Sequence, residues 1–543
     1  MPVKTFGIYL AYGPLVDLRT EGLGRHLAEF LRASASFKDV KFVIAAPRWL
    51  RRPLEQLLEN FDLEFGFFEV ISPKHMSLLG ILYQIRAALL GRRTQLRERI
   101  RGKGYLRAVK ESLTMMTKSF ILVILGSRSP FALLLVVVLG ITALPILVVA
   151  LAFAVAITVM AKTSAKLLPR SPIARVKRYL NRNGLFTRLS HSAYRFMCDS
   201  EASAVADEAN KRRNVEAWYS PAAFWPEFNQ IKAPRLMCVP DVVPIHFPVG
   251  FAIEEPNGDR RMQDFKRIEA AIEGGDRFVT YSSDVKNKTL VDRFHVDPNR
   301  VSVIPHGANR LDRLIKVTGF PDTEEATDSV SVQNFWGALS RTVNNNNATW
   351  YASKDLGFLF YASQIRPNKN IVNLLRAYNY LRRSQNLPYK LLLTGEWRES
   401  INVVRFMNEN RLHNDVLFVR GLSERELAAC YRLATLAVNP SLAEGGMPFT
   451  FTEAVSVGTP VIMADIPVSR EIIRDVEVAR RTFFDAADHR SIADAISAAL
   501  ADRDGLFAVQ REFYDRHLVG RSWTEVVGQY IEALDNISHG QCV

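Results

Sequence analysis

SLAEGGMPFTFTEAVSVGTPVI, residues 441–462, carries the end of one apolar strand, a glycine turn, a helical pattern and the start of the next strand. The strand before it is TLAVNPS (435–441), the helix begins near Phe451, and the strand after it is TPVIMAD (459–465). A strand that returns through a helix to the next strand lies parallel to it, because only a long crossover brings the chain back to the same end. The same alternation extends outward through GFLFYAS (357–363), the helix NIVNLLRAYNYL (370–381), YKLLLTG (389–395), DVLFVRG (415–421) and the helix ERELAACYRLA (424–434). Five strands alternating with helices predict an α/β, Rossmann-like, doubly wound parallel sheet over residues 355–509.

Ligands of such a sheet bind outside the carboxyl ends of its strands, so the residues at those ends carry the chemistry. They read SQIRPNKN (363–370), TGEW (394–397), RGLS (420–423) and PSLAEGGMPFTFTEA (440–454). Arg366 and Lys369 are cations on one loop, while Gly445, Gly446 and Met447 lead into a helix whose first amides have no partner within it. Cations together with helix N-terminal amides suit a diphosphate. Glu453, on that helix, can accept hydrogen bonds from a ribose diol.

The chain opens on a second alternating pattern. GIYLAYG (7–13) reads as a strand, TEGLGRHLAEFLRA (20–33) as a glycine turn leading into a helix, and KFVIAAP (41–47) as the next strand. Gly22 and Gly24 either make a tight turn or present the helix start to an anion. VEAWYSP (215–221), PRLMCVPDVVP (234–244), DRFVTYSSD (276–284) and RVSVIPHG (300–307) resume the pattern, with His306 read as a strand-end turn residue. A first Rossmann-like domain is therefore expected over 1–315, with an insertion at about 70–195. Residues 316–354 are polar and turn-rich and read as a linker or loop. Residues 510–543 read as a C-terminal helix that packs back on the first domain.

The insertion holds the unusual composition. Arg86 to Arg195 contains twenty Lys/Arg against two Glu, a surplus larger than the +14 of the whole 543-residue chain, so the remainder is mildly acidic. Such a local block points to anionic lipid headgroups rather than nucleic acid. Between its basic flanks, Phe131–Ala161 is uncharged for 31 residues, and an apolar piece, Ser119–Gly126, precedes Arg128 and Pro130. A straight helix of that length would extend about 46 Å against a hydrocarbon core of about 30 Å. Gly140 and Pro145 are the places to break it. Basic residues collect on the cytoplasmic side, and both flanks are basic, so a spanning or re-entrant hairpin over 119–161 is expected. Cys198, Cys238, Cys430 and Cys542 show no CxxC spacing, and the opening MPVKTFGIYLAYG lacks signal-peptide organisation, which fits a reducing cytoplasm. The expected location is the cytoplasmic face of the inner membrane.

YASQIRPNKNIVNLLRAY (361–378), SLAEGGMPFTFTEAVSVGTPVI, RFVTYSSD…RVSVIPHGA and SWTEVVGQYIEAL (522–534) together resemble family 4 of the retaining GT-B glycosyltransferases, the glycosyl transferases group 1. The resemblance implies two Rossmann-like domains facing a cleft and transfer of a sugar from a nucleotide diphosphate with retained configuration. It implies that Lys369 contacts the donor phosphates, with Arg366 standing in for an arginine whose place holds Gln364. Glu453 would hold the ribose, and Glu444 would approach the transferred sugar. Eight residues separate Glu444 from Glu453, one more than the family commonly has. CVPDVVPIHFP (238–248) resembles a segment at the cleft, making Asp241 and His246 candidates for acceptor contact or proton handling. No DxD motif stands where this chemistry sits, so neither a metal nor another cofactor is expected. The implied partners are a nucleotide sugar and a lipid-linked or glycan acceptor, with mannose as the suggested sugar, in cell-surface polysaccharide synthesis. The competing readings are a catalytically impaired sugar-nucleotide-binding scaffold and a GT-B epimerase or phosphorylase.

Overall fold

The computed structural model describes residues 3–14, 16, 18, 22–60, 63, 68–77, 80, 81, 83, 185–247, 258–319, 321–342 and 357–540. The chain divides into two compact units, Met1–His75 with Asp199–Val543, and Met76–Cys198. In the second unit the described parts include the rings of Tyr83 and Tyr194, with centroids 5.1 Å apart. The hairpin expected at 119–161 lies outside the described residues. Among the described residues, no helix is long and apolar enough to cross a membrane.

The larger unit contains two parallel sheets. The first has the order β3-β2-β1-β4-β5-β6-β7. Its strands are β1 (Lys4–Tyr9), β2 (Val40–Ala45), β3 (Glu69–Ile71), β4 (Ala217–Ser220), β5 (Arg235–Cys238), β6 (Arg277–Thr280) and β7 (Val301–Val303). β1 pairs with β2 through Lys4↔Val40 to Tyr9↔Ala45, and with β4 through Phe6↔Ala217. The chain therefore leaves the sheet after β3 and returns to it at β4, one strand from β1, so the basic insertion begins and ends on one sheet. α1 (Gly22–Ser34) follows β1, and α2 (Leu185–Asn210) leads from the insertion toward β4.

The second sheet has the order β10-β9-β8-β11-β12-β13. It comprises β8 (Phe358–Tyr361), β9 (Lys390–Thr394), β10 (Val416–Val419), β11 (Leu436–Asn439), β12 (Val461–Ala464) and β13 (Phe483–Phe484). Alternate strand residues supply two separate cores, as the two-residue period of a strand requires. Leu359, Leu391, Leu393, Val438 and Ile462 point to one, with Leu374 and Tyr378 of the helix after β8 and Ile492 and Ile496 further on. Phe358, Phe360, Leu392, Ala437, Val461 and Met463 point to the other, with Tyr431 and Phe451. Burial on both faces explains why these strands read as continuous apolar runs.

Residues 316–354, expected as a linker or loop, contain α3 (Thr323–Ser340), an 18-residue helix. Its buried positions are Thr327, Ser331, Phe335, Ala338 and Leu339. They share one face, but two of them are polar, so no apolar stripe shows in the sequence. Their hydroxyls are satisfied inside the helix, Thr327 Oγ1 donating to Thr323 O and Ser331 Oγ to Thr327 O, each at 2.7 Å. This back-bonding lets short polar side chains be buried at little cost. Phe335 stacks on Phe358 at 5.2 Å with an interplanar angle of 5°. The other helices used below are α4 (Ile371–Ser384), α5 (Glu424–Leu433), α6 (Phe449–Ser456), α7 (His489–Ala501) and α8 (Trp523–Ser538). α8 lies against α1, β4 and β5 of the first sheet, burying Trp523, Val526, Val527, Tyr530 and Leu534.

Candidate active site

The loop after β8 and the loop after β11 are tied together by asparagines. Asn368 Nδ2 donates to Ala443 O at 3.1 Å, and Leu442 N donates back to Asn368 O at 2.8 Å. Asn370 adopts a left-handed φ of 57° at the start of α4 and donates through Nδ2 to Pro440 O at 3.1 Å and Ala486 O at 2.7 Å. Asparagine is among the few residues that tolerate this conformation. The stapling brings Lys369 Nζ onto Glu444 Oε1 as an ion pair. Burial works against the Lys369 charge, but Glu444, assisted by Tyr361 and Asp241, holds its pKa above the ordinary lysine value. Arg366 is exposed at the head of the same turn.

Gly445 and Gly446 meet the first sheet. A Cβ on Gly445 would stand 1.7 Å from Pro240 O and 3.2 Å from Asp241 Cβ, and one on Gly446 would stand 2.9 Å from Tyr281 Cβ. Any side chain at 445 would force the two sheets apart, so glycine is needed there for close approach. Ser282 Oγ donates to Gly445 O at 2.9 Å, and His306 Nε2 donates to Met447 O at 2.8 Å. His306, expected as a turn residue, also lies on Phe449 with ring centroids 4.1 Å apart. The glycine loop expected to face a diphosphate is thus also the surface on which the sheets touch. Asp241, from the loop after β5, stands at this contact, near enough to Lys369 to act on its charge. His246 ends the single-turn helix Val243–His246, and its side chain lies outside the described parts.

Glu453 is held by a different set. It is 3% exposed on α6, and its Oε1 accepts from Arg25 Nη1 at 2.8 Å and Asn309 Nδ2 at 3.2 Å. Arg25 Nε also lies 3.4 Å from Glu424 Oε1. Burial opposes the Arg25 charge, yet the two carboxylates raise its pKa above the usual arginine value. Removing one member of such a buried pair costs about 3–5 kcal/mol, because the other is left uncompensated. Gly22 is the first residue of α1, and Gly24 meets a steric demand: a Cβ there would stand 1.8 Å from Leu18 O. That contact sets the helix start and, with it, the position of Arg25.

Sequence reading did not single out Arg25, Asn309, Asn368 or Asn370. Arg25 follows the glycine turn directly, and Asn309 lies three residues beyond His306, but neither has a partner within its own segment. Glu471 is a further link between the sheets, accepting from Ser283 N at 2.9 Å and Asp284 N at 2.6 Å. A cavity at the carboxyl ends of β12 and β13, lined by Asp465, Arg470, Arg474, Phe483 and Asp485, contains none of the expected site residues. The assignment therefore rests on the strand-end geometry around Lys369, Glu444 and Glu453. Among the described residues, no group of three or more His, Cys, Asp or Glu side chains is arranged to hold a metal ion.

The chain is similar to known proteins in part of its sequence and in its fold. Residues 345–514 match the glycosyl transferases group 1 family. The group 1 segment includes the second sheet, Lys369, Glu444 and Glu453. Over 145 residues the chain is 28% identical to O-antigen chain mannosyltransferase B of Escherichia coli, covering 26% of this chain and 35% of that protein. Over 240 residues it is 23% identical to O-antigen chain mannosyltransferase RfbU of Salmonella typhimurium, covering 44% and 54%. The chain thus spans about a third to a half of the length of these curated relatives. Among solved structures, sucrose-phosphate synthase from Thermosynechococcus elongatus is similar with a TM-score of 0.53 at 14% identity, covering 99% of this chain and all of that one. Anabaena HepE in complex with UDP and glucose is similar with a TM-score of 0.53 at 12% identity, covering 98% and 100%. The fold is a pair of parallel-sheet α/β domains resembling GT-B glycosyltransferases.

Proposed function

We propose that this protein is a retaining glycosyltransferase of family 4 that moves a sugar from a nucleotide diphosphate onto a membrane-associated glycan or lipid-linked acceptor. The observation that carries the reading is the Lys369–Glu444 pair, held by Asn368 at the strand ends inside the group 1 segment. Lys369, with the exposed Arg366 and the N-terminus of α6, supplies the positive potential that a departing diphosphate needs. Stabilising that developing charge is electrostatic catalysis and requires no protein nucleophile. Glu444 lies against this cation, where it orients the transferred sugar, and Asp241 approaches from the first sheet as the acceptor-side carboxylate. His246 belongs to the same acceptor loop. The reaction is assigned as metal-independent.

Mannose is the proposed sugar, supported by the names of the two O-antigen relatives, and the role is in cell-surface polysaccharide synthesis. The place of action is the cytoplasmic face of the membrane. Supporting this are the twenty Lys/Arg and the apolar segment of the insertion, together with the return of the chain to the sheet it left. A hairpin, rather than a single crossing, keeps β3 and β4 in one compartment, and anionic headgroups pair with its flanks.

The test is turnover by the detergent-solubilised full chain supplied with GDP-mannose, UDP-glucose or an ADP-sugar and a membrane-extracted acceptor. The expected result is nucleoside diphosphate release matched by sugar on the acceptor in the donor's own anomeric configuration. Glu453→Gln should lower kcat/KM about tenfold or more. Tight donor binding without transfer would replace this reading with the scaffold one, and an inverted product would remove the retaining assignment.

A further inference from the structure

Arg25 is not used by the chemistry above, yet it donates to the Glu453 carboxylate at 2.8 Å. It stands in the first turn of α1, on the first sheet, and its guanidinium crosses to two carboxylates of the second, Glu453 on α6 and Glu424 at the start of α5. Asn309 Nδ2 donates to the same Glu453 oxygen. A carboxylate offers about four lone-pair sites, and Arg25 and Asn309 together occupy two of them. One turn along α1 from Arg25, Glu29 forms an ion pair with Arg313. Arg25 and Glu29, with Asn309, Arg310, Arg313 and Glu424, line a narrow pocket at the seam.

We infer that Arg25 is a positioning residue for the nucleotide: it holds the Glu453 carboxylate oriented for the ribose, and links that site to the first sheet. The inference rests on the reading of Glu453 as the ribose contact. The physical basis is that a buried carboxylate needs fixed hydrogen-bonding partners, and one 3% exposed has little water to supply them. The pairing cation comes from α1 and not from a neighbour on the second sheet, so the ribose contact is complete only when α1 is seated. The opposite charges at Arg25 and Glu29, each met by its complement, fix the register of that seating.

The experiment measures binding of UDP, GDP and ADP to the full chain in detergent for wild type, Arg25→Ala, Arg25→Lys, Glu453→Gln and the double variant Arg25→Ala/Glu453→Gln, with thermal melts as the folding control. For the nucleotide that wild type binds, Arg25→Ala should weaken the Kd about tenfold or more, and Glu453→Gln should do likewise. The double variant should be no weaker than Glu453→Gln alone, because Arg25 acts through that carboxylate. Arg25→Lys should recover part of the loss, and donor KM should rise more than kcat falls. If Arg25→Ala melts below the assay temperature, Arg25→Lys decides: it supports the inference by binding between wild type and Glu453→Gln, and overturns it by matching wild type. Wild-type affinity in a folded Arg25→Ala beside a loss in Glu453→Gln overturns the inference and leaves the donor reading intact. Losses that multiply in the double variant also overturn it. Unchanged affinity in Glu453→Gln overturns the ribose assignment itself, and the role of Arg25 with it.

Discussion

His26, one residue after Arg25, is 3% exposed among Phe30, Tyr281, Trp523 and Tyr530, with Nδ1 3.3 Å from the Tyr281 hydroxyl. Burial, reinforced by nearby His306, lowers its pKa from 6.5 to about 3. The unfolded chain therefore takes up a proton that the folded one refuses. The resulting stability is complete above pH 6.5 and declines by about 1.4 kcal/mol per pH unit below it, down to the folded value. Replacing His26 by Phe should remove about 2 kcal/mol of the difference in unfolding free energy between pH 7 and pH 5, measured from urea titrations. Equal pH dependence in the two proteins would reject this. At this scale the sequence exposed Lys369, Glu444 and Glu453, because each sits in a local pattern of strand end, turn and helix. Arg25 and Asn309 were not visible, and His306 showed only as a turn residue, because a side chain whose partner lies more than a hundred residues away leaves no local signature of that partner.

The elements divide by the kind of signal they carry. Strands β8 to β12 are apolar runs bounded by turn residues, and α5 announces itself through Ser423 and Glu426, which form a reciprocal capping box. α3 gives neither signal, since its buried face includes Thr327 and Ser331 and its polar surface reads as loop. Arg432 of α5 donates to Asp328 of α3 at 2.8 Å, a tie that only the folded chain reveals. Phe335→Ala should therefore destabilise the second sheet by about 3–5 kcal/mol, the usual cost of deleting a buried aromatic ring. A thermal melt within a degree of wild type would return 323–340 to the status of a linker. α8 was expected as part of a C-terminal helix packing back on the first domain. The residues it meets there appear only in the structure, where Tyr530 packs against Phe30 at 5.4 Å and Tyr219 at 5.2 Å.

For the whole molecule, the proposed membrane hairpin makes the plainest prediction. Membranes containing the full chain should retain it through high-salt and carbonate washes, because burial of an apolar span does not depend on ionic attraction. Release by either wash would rule out a hairpin and leave at most a peripheral, electrostatic contact. The sequence by itself determined the two alternating α/β halves, the basic and apolar insertion, and the strand-end loops that hold the candidate chemistry. Periodicity and turn residues act over a few positions, and a parallel sheet puts the carboxyl ends of its strands on one side. Only the tertiary structure decided which residues complete the site across the seam: Pro240 against Gly445, His306 against Met447, and Arg25 with Asn309 on Glu453. Those pairings depend on how the two sheets meet, and that geometry is set by close approach and buried charge between residues far apart in the chain.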